Sequence, residues 1–258
     1  MYSKSLIRAF ERAAELILEA NGRTTGLTGA GISVASGIPA FRGSQGLWDK
    51  YDPFEYAEIS SFKRQPGKVW EMLGEMLEVV EKAHPNKAHK SLAKLEEKGL
   101  LRSLITQNVD GLHQAAGNRK VIEFHGTIRD LCCLDCDWRW PEFKFSATKS
   151  RPPRCQKCGA ILKPDVVFFG EEIPRLALLE ASSVAEKAKV MLVVGTSANV
   201  HPAAEMPILT KKAGGRVIEI NLEPTSLSGS VSDLTILGPA GEVLSEILAA
   251  CEKLGGNE

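Results

Sequence analysis

A glycine-dense corner at residues 27–43, Leu-Thr-Gly-Ala-Gly-Ile-Ser-Val-Ala-Ser-Gly-Ile-Pro-Ala-Phe-Arg-Gly, constrains the fold of this chain more than any other stretch. It follows a short run, Thr24 to Thr28, that reads as a first strand although Gly26 weakens it. Glycines this close together after a strand let the backbone approach a pyrophosphate, and a helix opening behind them offers free N–H groups. As a dinucleotide fingerprint the corner is incomplete. Gly29 and Gly31 supply the first two glycines, Val34 stands where the third belongs, and Gly37 is displaced. No acidic residue about 20 positions on closes a second strand, so an ordinary dehydrogenase is disfavoured. Without a ligand, the same residues would make a tight strand–loop–helix junction.

The rest of the chain alternates helical and strand patterns around that corner. Residues 3–20 have the spacing of an amphipathic helix, with Leu6, Phe10, Ala13, Ala14 and Ile17 on one face. Residues 44–83 are aromatic and helical in pattern, and read mostly as the core of a small module. A surface helix over 86–98 leads to a buried-type strand from Leu100 to Thr106, and Val121 to Phe124 is a short strand ending at His125-Gly126. Helices near 173–188, 202–212 and 242–254 alternate with strands at 190–194, 217–220 and 234–237. This rhythm predicts an α/β fold, a doubly wound parallel sheet with helices on both faces. Gln107, Asn108, Asp110 and His125 then stand just past strand ends, where an open α/β sheet has its ligand crevice.

Cysteine spacing adds a metal. Five of the six cysteines lie between 132 and 158, and Cys133-x2-Cys136 and Cys155-x2-Cys158 are eighteen residues apart. Four thiolates at zinc-ribbon spacing make a closed tetrahedral site, structural and not catalytic. Cys132 could replace Cys133 one register off; the two-residue spacing favours Cys133. Thirty-two basic and thirty-two acidic residues cancel over 258 positions, so no charge excess argues for nucleic acid. The N-terminus lacks a signal-peptide pattern and no apolar run approaches about 18 residues, which predicts an intracellular, cytoplasmic protein without a membrane partner.

With these pieces in place the chain resembles the sirtuin family of NAD-dependent protein-lysine deacylases along nearly its whole length. The motifs that carry the resemblance are GAGIS (29–33), SGIPAFRG (36–43), TQNVD (106–110), HG (125–126), the four cysteines, VVFFGE (166–171), GTS (195–197) and INLEP (220–224). It implies a Rossmann-like domain from residues 1–43, 86–126 and 164–258. It also implies a smaller domain from the helical insertion 44–85 and the zinc ribbon 127–163, with NAD and an acetylated-lysine peptide meeting in the cleft between them. Carried over residue by residue, Gly29, Ala30, Gly31, Ser33, Phe41, Arg42 and Trp48 would hold the diphosphate and nicotinamide end. Gln107, Asn108 and Asp110 would take the ribose and nicotinamide pocket. Gly195, Thr196, Ser197, Asn221, Leu222, Glu223 and Ala240 would make the adenosine side. Val166, Phe168, Gly170 and Glu171 would pair with the substrate backbone by strand addition, and Leu73 and Met76 would face the acyl group.

His125 is then the general base, helped by Asn108: in the family, nicotinamide leaves as the acyl oxygen attacks the ribose, and the base activates a ribose hydroxyl. Apolar residues such as Ile32, Ile38, Phe41 and Val109 would keep the pocket dry. The other four histidines, His84, His89, His113 and His201, read as ordinary solvated or hydrogen-bonded residues. Members that remove succinyl groups carry a Tyr-x-x-Arg pair where this chain has Leu73 and Met76, which points to acetyl or longer apolar acyl substrates. Two other functions compete: mono-ADP-ribosyl transfer from the same site, and a non-catalytic zinc-ribbon scaffold.

Overall fold

A computed structural model of the chain describes residues 2–40, 47–144 and 152–256, apart from the side chains of 47 and 48. Helix α1 (Lys4–Glu19) starts where the Ser3 side chain accepts the Leu6 N–H, and it buries Phe10, Ala13, Ala14, Leu16 and Ile17. Strand β1 (Thr24–Thr28) is buried throughout. Its interior Gly26 has a packing reason: a Cβ there would lie 2.4 Å from Leu104 Cδ1, so a neighbouring leucine fills the space a side chain would need. The α-helix expected behind the glycine corner is instead a seven-residue 3-10 turn, Ala30–Ser36. Gly29 has no side chain to cap a helix, and the Ile32 N–H settles on Gly29 O three residues back.

Helices α2 (Leu47–Lys50), α3 (Pro53–Tyr56), α4 (Ile59–Arg64) and α5 (Pro66–Lys82) follow, then α6 (Lys87–Glu97), β2 (Ser103–Thr106), α7 (Leu112–Ala116) and β3 (Val121–Glu123). Next come β4 (Gly126–Cys132), β5 (Arg139–Trp140) and β6 (Lys163–Val166). Helix α8 (Arg175–Lys187), β7 (Val190–Val194), α9 (Met206–Lys212), β8 (Arg216–Asn221), β9 (Leu234–Leu237) and α10 (Ala240–Gly255) complete the chain.

The large sheet runs β3-β2-β1-β7-β8-β9, every pair parallel. Chain order reverses between β1 and β7. That switch point opens a crevice beyond the carboxyl ends of both strands, where Gly29 and Gly195 stand. Strand alternation feeds two cores. Val190, Leu192 and Val194 face α1, α6 and α10, whereas Met191 and Val193 face α8 and α9. A third core joins the two insertions: Phe62, Val69, Trp70, Met72, Leu73 and Leu77 pack against Ile128, Leu131, Phe143, Leu162, Val166 and Phe168. Trp70 Nε1 donates to Leu162 O across it at 2.8 Å. The small sheet, β5-β4-β6, is antiparallel.

Several expectations change in this setting. Leu73 is core, 1% exposed, in the cluster that joins the two insertions; Ile32 likewise packs under the large sheet. Phe54 leaves the aromatic cluster and is 72% exposed. Among the described residues no helix is long and apolar enough to cross a membrane.

Leu92 is fully buried in the core under α6, whereas Leu176 is exposed at the start of α8. Leu92→Ala should cost about 2–5 kcal/mol of unfolding free energy, and Leu176→Ala no more than about 0.5. Urea denaturation of the two variants measures the difference.

Candidate active site

The crevice is assembled from strand ends whose backbones touch. Gly29 N–H donates to Val194 O at 3.1 Å and Gly31 N–H to Gly195 O at 2.8 Å. A Cβ on Gly31 would sit 2.8 Å from Gly195 O, and one on Gly195, whose φ is 61°, would sit 2.4 Å from Ile32 N. Only glycines permit this approach.

Past β2 the side chains turn inward. Asn108 Nδ2 donates to Gly29 O at 3.2 Å and to Ser33 Oγ at 3.1 Å, and Ser33 Oγ donates to Asp110 Oδ2 at 2.7 Å. Asp110 Oδ1 accepts the Leu112 N–H at 2.9 Å, which fixes the carboxylate at the start of α7. Gln107 Nε2 donates to Thr196 Oγ1 at 2.9 Å, and Asn221 Nδ2 to Thr196 O at 2.8 Å, so the ends of β2, β7 and β8 are tied together. Beside this network lies a cavity of about 230 Å³ with a mostly apolar wall, reaching from Ala30, Ser33, Ile38 and Pro39 past Asn108, Val109 and Asp110 to Met76, Val79 and Val80 of α5. Lys50, Tyr51 and Glu75 also line it, with Lys50 Nζ 2.5 Å from Glu75 Oε2.

His125 stands between the two sheets. Its Nδ1 is 3.1 Å from Gln107 O, and a carbonyl can only accept, so Nδ1 carries the proton and Nε2 keeps its lone pair. Nε2 has no hydrogen-bond partner among the described residues. Burial pushes the ring's pKa below its ordinary 6.5, opposed by the Gln107 carbonyl. Phe124 packs edge-on against it, centroids 5.4 Å apart. His125 does not line the cavity itself; it is held beside it through Gln107, the neighbour of Asn108 in the chain.

Two histidines read as ordinary prove to be part of the site's foundation. His89 and His113 are 0% and 1% exposed, their rings 4.8 Å apart. His89 Nδ1 accepts the Asn86 N–H at 3.3 Å, so its Nε2–H faces Ser33 Oγ at 3.5 Å. His113 Nε2 lies 2.9 Å from Thr28 Oγ1, which in turn donates to Thr106 Oγ1 at 2.9 Å. Burial lowers the pKa of His89 to about 4 against the opposing charge of Asp110, and lowers that of His113 to about 3. The histidine three residues after Asn86 completes a capping box, a signal open to sequence reading. Glu219 was equally hidden, a carboxylate amid apolar strand residues. It is 1% exposed and accepts from the hydroxyls of Thr225, Ser228, Ser232 and Thr235, tying down the loop that follows Asn221.

Other expected residues fall variously. Phe41 and Arg42 lie outside the described residues, as does the Trp48 side chain. Ser197, Leu222 and Glu223 are exposed at the crevice rim, and Ala240 opens α10. Of the acyl-facing pair only Met76 lines the cavity. The four cysteine sulfurs all lie within 4.8 Å of one another, with Cys133–Cys158 and Cys136–Cys155 at 3.5 Å. Tetrahedral zinc with bonds near 2.3 Å sets sulfurs about 3.8 Å apart, so the four thiols fit one zinc ion and leave no open position. Cys132 is outside the cluster.

Fold and site together define a Rossmann-like nucleotide-binding protein with a zinc-ribbon insertion. The Sir2 family model matches residues 29–202. The chain is 47% identical over 246 residues to NAD-dependent protein deacylase 2 of Archaeoglobus fulgidus, covering 94% of this chain and 96% of that protein. It superposes on a Sir2 homologue in complex with NAD with TM-score 0.86 at 43% identity, covering 95% of this chain and 94% of the other. On Sir2Af2 bound to a myristoylated histone peptide the TM-score is 0.82 at 38% identity, covering 97% and 99%. The chain belongs to the Sir2, or sirtuin, family.

Two measurements follow. His89 and His113 are neutral when folded and protonate when unfolded, so stability is complete above about pH 6.5 and declines below it. The decline approaches roughly 1.4 kcal/mol per pH unit per ring until pH reaches the folded values. Urea midpoints from pH 7.5 to 4.5 should show the decline, and His113→Gln should flatten it; an unchanged slope would contradict the assignment. Removing zinc should abolish cooperative unfolding and activity together. Cobalt in its place should give a tetrahedral thiolate spectrum with activity within about twofold of the zinc protein, because the closed site takes no part in chemistry.

Proposed function

We propose that this chain removes acyl groups from lysine side chains at the expense of NAD and one water, yielding nicotinamide, free lysine and O-acyl-ADP-ribose. The observation that carries this reading is the tautomer of His125: a carbonyl holds the proton on Nδ1, which leaves the Nε2 lone pair free to act as a base beside the crevice. The residues present suit the dinucleotide. Gly29, Ala30 and Gly31 bring bare backbone to the switch point. Gln107, Asn108 and Asp110 supply polar groups on a fixed frame, and Gly195, Thr196, Ser197, Asn221, Leu222, Glu223 and Ala240 flank the adenosine side. Ser33 belongs with Asp110 and Asn108. Phe41, Arg42 and Trp48 complete the set by sequence. In this reading the large sheet with its helices binds NAD, and the insertions 44–85 and 127–163 form the smaller domain.

Bound NAD supplies the electrophilic ribose carbon, the nicotinamide leaving group and the hydroxyl that takes the acyl group. The chain does the rest. Asn108 and Asp110, held by Ser33, orient the nicotinamide end. Val109, Ile38 and Pro39 keep water away. His125 Nε2 accepts the proton of a ribose hydroxyl, and the lowered pKa of the ring keeps Nε2 unprotonated at neutral pH. Val166, Phe168, Gly170 and Glu171 shape the edge where the peptide lies. The apolar wall of the cavity, with Met76, Val79 and Val80, favours acetyl and longer apolar acyl groups. Among the described residues its one lining cation, Lys50, is already paired with Glu75, so an acyl carboxylate would find no free cation among them.

Turnover of acetyl-, myristoyl- and succinyl-lysine peptides should follow the wall chemistry, with succinyl removal at least about tenfold below acetyl removal by kcat/KM; efficient succinyl removal would refute it. His125→Ala should lower kcat by about 10²–10⁴-fold with ADP-ribose affinity little changed. The acid limb of the kcat/KM profile should bend below pH 6.5, since the neutral ring is the active form. Mass spectrometry of the products separates O-acetyl-ADP-ribose from ADP-ribose attached to protein.

A further inference from the structure

Lys163 is an unusually placed cation, its side chain only 4% exposed. Its Nζ donates to Val166 O at 2.5 Å and to Glu171 Oε2 at 3.0 Å, and lies 4.6 Å from the centre of the Phe168 ring. The same carboxylate oxygen accepts the Phe168 N–H at 2.8 Å, and the Glu171 N–H donates to Phe168 O at 3.0 Å. One ion pair therefore gathers the polar groups of the segment 166–171 on its inner side.

The remaining peptide groups can be counted one by one. Val167 N–H donates to His125 O at 2.9 Å, Phe169 N–H to Ala57 O at 2.9 Å, and Ile59 N–H to Phe169 O at 3.1 Å. The Val167 carbonyl and the N–H and C=O of Gly170 have no hydrogen-bond partner among the described residues. They sit on a segment whose neighbouring peptide is already bonded to His125. Unmatched backbone groups on an edge are what a peptide strand takes up when it adds to a sheet.

Stability alone does not account for the pair. A buried ion pair contributes little over apolar residues of the same shape, because desolvation offsets the attraction. What the pair does achieve is placement: with Val166 O and both Phe168 groups engaged inside, the segment cannot turn those groups outward.

We propose that Lys163 and Glu171 are positioning residues for the peptide substrate, locking 166–171 so that the Val167 carbonyl and the Gly170 peptide meet the acyl-lysine backbone beside His125. This rests on the deacylase reading. It revises the expectation that Val166, Phe168 and Glu171 themselves pair with substrate, leaving Gly170 from that set and adding Val167. Neither charged group touches the reacting atoms.

The test uses the full-length, zinc-loaded protein and two readouts: affinity for a fluorescent acetyl-lysine peptide in the presence of ADP-ribose, and steady-state release of nicotinamide. Lys163→Met and Glu171→Gln should raise peptide Kd and KM at least tenfold. The kcat at saturating peptide and the affinity for ADP-ribose should stay within twofold. Lys163→Arg should recover most of the loss. The double variant Lys163→Met/Glu171→Leu replaces the pair by apolar side chains. It should unfold at the wild-type temperature or above, yet bind peptide as weakly as the single variants, so it also answers if a single variant fails to fold. Peptide affinity within twofold of wild type in the folded double variant would overturn the proposal, as would a parallel loss of ADP-ribose affinity. A wild-type protein that binds peptide but releases no nicotinamide would sink the deacylase reading while leaving the positioning claim to be judged on peptide affinity.

Discussion

The contact between Gly31 and Gly195 is the constraint from which the site hangs. Two parallel strands, β1 and β7, end side by side at the place where the sheet reverses its winding, and their following loops meet backbone to backbone. Because no Cβ intervenes, the loop after β1 lies close enough for Asn108, arriving from β2, to bond Gly29 O and Ser33 Oγ at once. The loop after β7 is in turn tied by Gln107 to Thr196. Three strand ends are thus cross-linked by side-chain amides. A methyl group at residue 195 would part them and dissolve the frame.

Beneath that frame the protein keeps an uncommon number of polar groups dry. Ser33, Asn108 and Asp110 face the crevice, while His89, His113, Thr28 and Thr106 lie behind them. Such a network is costly unless nearly every member has a partner, and a satisfied network admits few alternative arrangements. A neutral imidazole suits the role at His89, which accepts the Asn86 N–H at Nδ1 and turns Nε2–H toward Ser33; a charged ring would lose the acceptor and release the Asn86 N–H. Rigidity at this end of the cleft and acid sensitivity of the fold therefore share one origin.

Sequence order and residue type made the architecture legible: the strand-and-helix alternation, the glycine corner and the paired cysteines each reflect a local rule. Ends of elements were legible to within a few residues. Burial was not. Leu73 and Ile32 have the same composition cues as pocket residues, and only their register on α5 and in the 3-10 turn sends them into a core. Charged and polar residues inside strands were least legible. Lys163, Glu219 and His113 look like surface residues until the partners that neutralise or bond them, distant in sequence or in the next turn, are brought alongside. Their roles are relations between segments, and no single stretch carries them.

The position of His125 shows how the small core bears on the proposed chemistry without taking part in it. The residue follows β3, the edge of the large sheet, and precedes β4, which begins at Gly126 with φ of 76°. A Cβ on Gly126 would lie 2.0 Å from Asp165 O, so the chain can leave the histidine only by passing hard against β6. The ring is fixed from the large sheet through Gln107 O, while its own carbonyl accepts from Val167 just past β6. Ordering of β4 and β6 depends in turn on Leu131, Leu162 and the cysteine knuckles, where Cys133 N–H bonds Trp138 O and Cys155 N–H bonds Ala160 O. An imidazole at the joint between two cores is held from both sides, and a peptide on the β6 side, as proposed above, would be registered to it by the same bonds. The zinc cluster therefore bears on the placement of His125 through backbone geometry, with no need for a ligand of its own.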